Sequence, residues 1–255
     1  MATASLHPGG QPVTHLADLA TRGLVTRAGA GTAASERTLP LLAVFEGLMP
    51  QGSVQRGSVM RCQGVAAVSL ALALAAGPSQ QGAWVGVAGF PSLGLAAAAE
   101  AGVSLDRLVA VTEPSTTQPL TTQPLTDAQW ADLLAAFIDG FNVVLLGPGT
   151  QQVRPNTARR LLARLQSRGA VAITVGAPVF GADLCFESTG SSWVGIGDGH
   201  GVARGRVAEV SLSGRRVPQT RHARLWLPAA DGQVRALAEV ATDTTAPVVV
   251  LRCTA

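Results

Sequence analysis

The sequence has no lysine and no tyrosine; all 19 of its basic residues are arginine. That absence removes several chemistries together. A G-x-x-x-x-G-K-[ST] phosphate loop, a Schiff-base lysine and a Ser-x-x-Lys nucleophile each need a residue that the chain lacks. Cysteine is scarce too. Cys62, Cys185 and Cys253 are far apart and odd in number, and no C-x-x-C or Cys/His ligand spacing occurs. A zinc site and a disulfide framework are therefore not expected, and a reducing compartment fits. The longest apolar run, Val65 to Ala76, is broken by Ser69 and falls short of the roughly 20 residues that a membrane span requires. Met1 to Pro12 shows no basic segment followed by an apolar one, so no secretory signal is read there. Taken together, these features predict a cytoplasmic protein without membrane contact.

What is present points to a folded chain. Of 255 residues, 47% are hydrophobic and 14% charged, which supplies a sizeable core and argues against disorder. Residues 1–150 carry six arginines and nine acids, residues 151–255 thirteen arginines and seven acids. The net charge of +3 thus conceals a basic back half. Such a half suits an anionic partner, nucleic acid or an acidic protein surface, although a solvated basic face would give the same arithmetic.

The first forty residues are weakly patterned and read as an N-terminal arm, mobile or docked on a partner, ahead of a core over 41–255. Thr14 could cap a short helix over His15–Thr21. Gly29-Ala-Gly-Thr-Ala-Ala34 has the spacing of a dinucleotide fingerprint but lacks the preceding strand that gives the motif meaning. From Leu41 short strands and helices alternate. Strand Ser58–Arg61 leads through Gln63-Gly64 into helix Ala66–Ala76, with Gly77-Pro78 as its stop. Strand Ala83–Ala88, helix Leu93–Ala101 behind Ser92, and strand Leu108–Val111 follow. The pentapeptide Thr-Thr-Gln-Pro-Leu is written twice over 116–125, as expected of an exposed connector. Thr126 and Gln129 stand in capping-box spacing before helix Asp127–Ile138. Strand Asn142–Leu146, a helix opened by Pro155 and strand Val171–Val175 come next.

Continuously apolar strands alternating with helices predict an α/β fold with a mostly parallel sheet covered on both faces. Beyond Pro178 the pattern becomes short strands between glycine turns, Leu184–Glu187, Trp193–Ile196, Arg206–Ser211 and Arg221–Leu227, expected as antiparallel hairpins. A helix over Gly232–Val240 and a strand over Val248–Arg252 complete the chain.

Motifs for catalysis fail one after another. Where a nucleotide-binding fold keeps its phosphate loop, this chain has Cys62-Gln63-Gly64-Val65, without a cation for β- and γ-phosphates. Strand Asn142–Leu146 ends in Leu146-Gly147, where magnesium would need an aspartate. Strand Ala83–Ala88 is followed by Gly89-Phe90-Pro91, where a polarising glutamate would be required. Ser92 lies between strand and helix like a nucleophile elbow, yet Phe90 occupies the position that needs glycine. His200 sits in a glycine-rich turn with no identifiable nucleophile, so a turn residue is the simpler role. Gly195-Ile-Gly-Asp-Gly199 is followed by no helix and is not a dinucleotide loop. No catalytic residue, cofactor or metal is expected.

The remaining signal is a group of arginines, Arg204, Arg206, Arg215, Arg216, Arg221 and Arg224, with Trp193 and Trp226 nearby in sequence. Arginine with tryptophan is the composition of interface hot spots and of single-strand nucleic-acid platforms. Two tryptophans without tyrosine favour the protein interface. Arg160, Arg164 and Arg168 recur at four-residue spacing along one face of the helix that Pro155 opens.

Leu48-Met-Pro-Gln-Gly-Ser-Val-Gln-Arg-Gly-Ser-Val59 resembles the opening of the RecA core, and Ala101-Gly-Val-Ser-Leu-Asp-Arg-Leu108 resembles a later step of it. Ala182-Asp-Leu184, Trp193-Val-Gly-Ile-Gly-Asp-Gly-His-Gly201, Arg204-Gly-Arg206, Gly214-Arg-Arg216 and Arg224-Leu-Trp-Leu-Pro228 resemble the actinobacterial ImuA-prime family. The resemblance covers residues 40–230 and implies a RecA-like fold working without ATPase activity in the SOS response. It further implies binding to ImuB, an inactive Y-family polymerase homologue, and indirect support of an error-prone C-family DNA polymerase in translesion synthesis. The C-terminal part, which holds the arginine–tryptophan group, is the part associated with ImuB. RecA's two DNA-holding loops correspond to Gly147–Arg154 and Gly176–Asp183, eight residues each, too short for strand exchange. Arg160 and Arg164 remain available for DNA phosphates. Competing expectations are a single-stranded DNA-binding repair factor and a SulA-like inhibitor of cell division.

Overall fold

The computed structural model describes residues 37–111, 126–150, 153–176, 179–197 and 200–237, all within one compact unit that begins at Arg37. The expected elements over His15–Thr21, Gly29–Ala34, the 116–125 repeat and Val248–Arg252, together with Cys253, lie outside the described residues.

Strands β1 (Thr38–Pro40) and β2 (Ser53–Gln55) form a small antiparallel ribbon. The main sheet contains β3 (Val59–Gly64), β4 (Val85–Ala88), β5 (Leu108–Val111), β6 (Val143–Leu146), β7 (Val171–Val175), β8 (Leu184–Gly197), β9 (His200–Gly214), β10 (Val217–Trp226) and β11 (Arg235–Ala236). Their order across the sheet is β11-β10-β9-β8-β3-β7-β6-β4-β5. From β8 to β5 every pairing is parallel. From β8 to β11 every pairing is antiparallel. This is the mixed architecture expected from the apolar strand runs, with the antiparallel strands at the C-terminal end. Strands β4, β6 and β7 are buried along their whole length, as strands covered on both faces must be.

Among the described residues, four α-helices supply the cover. Helices α1 (Ala67–Gln80) and α2 (Leu95–Glu100) pack on one face, in a core that includes Phe45, Met60, Cys62, Leu74 and Phe186. Helices α3 (Asp127–Gly140) and α4 (Pro155–Arg168) pack on the other, through Trp130, Leu134, Ile138, Leu161 and Leu165. The α3 capping box forms as its spacing predicts: Gln129 N–H donates to the Thr126 hydroxyl, and Thr126 N–H donates to Gln129 Oε1. Helix α4 opens on Pro155 and closes on Gly169 in the left-handed conformation.

Four local expectations change. Helix α1 runs past Gly77-Pro78 to Gln80, because this last turn is buried and tertiary packing outweighs the proline. Gly77 is needed there, since a Cβ would meet the Leu41–Leu42 backbone at 2.7 Å. Helix α2 starts after Gly94, and Ser92 does not cap it. The short strands Leu184–Glu187 and Trp193–Ile196 are one strand, β8, whose glycine and serine interruptions are absorbed as irregularities in pairing with β9. Finally, Arg235–Ala236, expected as helix, pairs with Leu225–Trp226 at the sheet edge.

The helical layer formed by α3 and α4 covers β4, β6 and β7. Beyond β7 the same sheet face carries Arg61, Gln63, Glu187, Glu209, His222 and Arg224, of which the last four are exposed. A polar, solvated face is how an antiparallel sheet tolerates being open on one side. No helix among the described residues is long and apolar enough to cross a membrane.

Candidate functional site

In open α/β sheets ligands bind outside the carboxyl ends of the strands, where the strand order reverses. Here that place is the end of β3, with β7 on one side and β8 on the other. The connection from β3 to α1 is only Val65-Ala66. Strand β8 runs directly against it. The Ser188 hydroxyl accepts the Ala66 N–H at 2.8 Å in a buried position, and a Cβ on Gly64, which has φ +89°, would collide with the Ser188 carbonyl. An amide that a phosphate loop would point at an anion is therefore bonded within the protein. The neighbouring loops after β4 and β6 also close on each other. Gly147 N–H donates to Ala88 O at 2.9 Å, and Thr150 Oγ1 donates to Gly147 O at 2.7 Å. Nothing in the sequence singled out Ser188; its role follows from the register that sets it opposite Gly64.

The arginine group does not assemble into one cluster. Arg206 and Arg215 are nine residues apart on one antiparallel hairpin, which at about 3.3 Å per residue separates them by about 30 Å. Arg204, Arg206, Arg224 and Trp226 occupy the end of the sheet near the carboxyl end of β3. Arg215, Arg216 and Arg221 occupy the opposite end.

At the first end the side chains have different roles. Arg206 is half-buried and faces α1: its Nε donates to Leu227 O and its Nη2 to the Ser69 hydroxyl, each at 2.7 Å. Its guanidinium also lies 5.4 Å from the Trp193 ring centroid, a cation–π distance. Burial works against the charge of Arg206, lowering its pKa. The side chain thus ties the sheet to α1 and to the Leu227 carbonyl. Arg204 and Arg224 are exposed, with Arg224 paired in register opposite Glu209. Trp226 is half-buried on the other sheet face, where its ring lies against Gly205. Beside them stand exposed apolar side chains: Trp193 at 44%, Val202 at 73% and Val65 at 70%, with Val68 and Val194. The valines carry no polar signature and were not legible as surface residues from spacing.

At the other end, Arg216 donates to the Gln55 side chain and Arg221 to Leu48 O at 3.0 Å. Arg215 is exposed, and its backbone N–H donates to Asp183 O at 3.1 Å. Asp183 Oδ2 accepts the Val59 N–H at 2.9 Å, which ties β3 to the chain entering β8. These groups surround a cavity of about 150 Å³.

Arg160 and Arg164 line a groove between α3 and α4. Arg160 is exposed, but Arg164 is engaged with Asp139, donating through Nε at 2.8 Å and also through Nη2. Arg168 Nε adds a bond at 2.9 Å. Hydrogen bonds from Arg164, then Arg168, hold the Asp139 carboxyl at about 2. Arg160 is the exposed member of this pair that does not share the Asp139 carboxylate. Burial pushes the Cys62 thiol well above its ordinary range and raises that of Cys185 as well. Among the described residues, no group of three or more His, Cys, Asp or Glu is placed to hold a metal ion.

The family model described as the MT3502 N-terminal domain matches residues 47–181, from just before β2 to the approach of β8. The uncharacterized protein Rv3395c of Mycobacterium tuberculosis (strain ATCC 25618 / H37Rv) is 32% identical over 124 residues, which is 48% of this chain and 54% of that protein. The matched stretch thus spans about half the length of that relative.

Proposed function

The chain belongs to the MT3502 N-terminal domain family, and from that premise we propose that it is a non-catalytic adaptor of the ImuA-prime kind. Its RecA-like core is kept for its shape and binds an ImuB-type inactive Y-family polymerase homologue. Through that partner it supports an error-prone C-family DNA polymerase in damage-induced translesion synthesis in the cytoplasm. A mycobacterial relative is compatible with the actinobacterial resemblance of the sequence.

The observation that carries the proposal is the closed position after β3. Two connecting residues, an amide bonded to Ser188 and a strand pressed on Gly64 supply no cradle for a triphosphate. A scaffold modified there has its remaining distinctive chemistry at the sheet end bearing Trp193, Arg204, Arg224 and Trp226. Exposed aromatic and arginine side chains beside valines are the composition of interface anchors. The family match ends before this region, and this proposal puts partner choice there.

The test is co-purification of the full chain with the ImuB-type homologue. Arg204→Ala combined with Arg224→Ala is expected to lower the recovered partner at least tenfold with the melting temperature near that of the parent, and Trp193→Ala to lower recovery likewise while also losing the ring contact to Arg206. Undiminished recovery with both variants would refute this placement. Isothermal titration with ATP and magnesium is expected to give no heat of binding; micromolar affinity would overturn the adaptor proposal itself. Arg160 and the basic back half favour single-stranded DNA as a second reading, which predicts binding that falls steeply with salt.

A further inference from the structure

The cavity between the β1–β2 ribbon and the far end of β8–β10 has a construction unlike the rest of the surface. Leu48, Met49, Ser58, Leu184 and Leu212 line it as buried residues, Asp183, Val217 and Arg221 as half-buried ones, and Gln51, Gln55 and Arg216 as exposed ones. The opening has a covalent cause. Between Val217 and Arg221 strand β10 has three residues, Pro218-Gln219-Thr220, where β9 has only Ser213. Pro218 has no N–H to give the ladder, so the strand bulges and the pairing register shifts.

Size and charge define what fits. A cavity of about 150 Å³ matches in volume the engineered core cavity that takes up a six-carbon ring, but here Ser58, Asp183 and two glutamines share the lining with the aliphatic groups. That is room for one leucine-sized side chain, and Met49 provides a wall that adapts to its shape. The charges of the lining are Arg216 and Arg221 against Asp183, with Arg215 next to the rim. The Asp183 carboxylate already accepts the Val59 N–H. Arg221 gives one N–H to Leu48 O and Arg216 one to Gln55; a guanidinium has five. The site therefore combines a partly aliphatic lining with two guanidiniums, Arg216 exposed and Arg221 half-buried, against one carboxylate.

We propose that this cavity is an anchor socket for a polypeptide partner, taking one aliphatic side chain whose next residue is acidic, with that carboxylate on Arg216. The inference rests on the adaptor proposal only in treating the chain as a protein-binding scaffold. It does not depend on which protein is bound.

The experiment uses the purified full chain and ligand-observed NMR with acetyl-Leu-Glu-amide, acetyl-Leu-Gln-amide and acetyl-Ala-Glu-amide. The Leu-Glu peptide is expected to bind about tenfold more tightly than either of the others, the range of one charge-assisted contact or one buried aliphatic group. Arg216→Ala, an exposed rim substitution, should abolish the preference for Glu over Gln and keep the preference for Leu over Ala. Val217→Trp, which fills the mouth, should abolish binding of all three peptides, with circular dichroism confirming the fold. Equal affinity of the three peptides, or a preference unchanged by Arg216→Ala, would overturn the proposal. Tighter binding of free 4-methylpentanoate than of the Leu-Glu peptide would also overturn it, in favour of a small-molecule site. Because no polymerase homologue enters this assay, its outcome is separable from that of the co-purification: peptide binding here together with failed co-purification there leaves this inference standing and removes the other.

Discussion

Replacing Arg206 by alanine separates a brace from a contact residue. In the folded protein its guanidinium bonds Leu227 O, Ser69 Oγ and the face of Trp193. Leu227 is fully buried, so removing the donor leaves a buried carbonyl without that partner, at a cost of about 1–3 kcal/mol. Losing the bond to Ser69 and the ring contact adds about 1–2 kcal/mol at a partly exposed site. Release from the desolvation that lowers the pKa of Arg206 offsets part of this. The net expectation is a loss of about 2–3 kcal/mol, which for a domain of this size lowers the melting temperature by about 4–12 °C. Arg204, two residues away and exposed, should change stability by less than about 0.5 kcal/mol when replaced in the same way. Differential scanning calorimetry of Arg206→Ala, Arg204→Ala and the parent decides between the two roles. If Arg206→Ala melts within a degree of the parent, the brace is not real and Arg206 returns to the partner surface.

Other outcomes follow from single contacts. Ser188→Ala leaves the buried Ala66 N–H without its acceptor and should cost about 1–3 kcal/mol, read as a lower denaturation midpoint at unchanged slope; an unchanged midpoint would mean that the hydroxyl does not satisfy that amide. Asp139→Asn removes a carboxylate whose pKa is depressed to about 2. A depressed carboxyl contributes its stability above the unfolded-state value near 4 and loses it as pH falls through the folded-state value. The stability gap between parent and variant should therefore be constant above about pH 5 and close between about pH 4 and pH 2. A gap that persists below pH 2 in denaturation curves would contradict the ion-pair geometry.

The parts of the fold legible in the sequence are those whose cause is local. The Thr126–Gln129 box, the proline that opens α4 and the glycine that closes it, and the apolar run Val171–Val175 each carry their signal within a few residues. What escaped depends on distant partners. Gly77-Pro78 reads as a helix stop unless the packing of Leu41 and Leu42 is known. Arg235–Ala236 follows a glycine that suits a helix start, and only the free edge of β10 draws it into the sheet. The length of β8 and β9 was hidden because serines and glycines that would end an isolated strand are tolerated as irregularities in a long hairpin.

The same cause explains why the candidate site was legible in composition but not in geometry. Six arginines within about twenty residues suggest one basic patch, and on a helix they would form one. On a hairpin of strands 15 and 10 residues long, sequence proximity instead distributes them along and across the sheet. Alternation turns Arg206 inward to α1 while Arg224 and Trp226 face the other way. The bulge at Pro218 places Arg216 and Arg221 on either side of a cavity although five residues separate them. The hairpin thus carries exposed Trp193 and valines at one end and the cavity bearing Arg216 and Arg221 at the other, roughly 30 Å apart. For an adaptor this geometry has a consequence: each end alone can be weak, because the second contact forms at the high effective concentration that the first one sets.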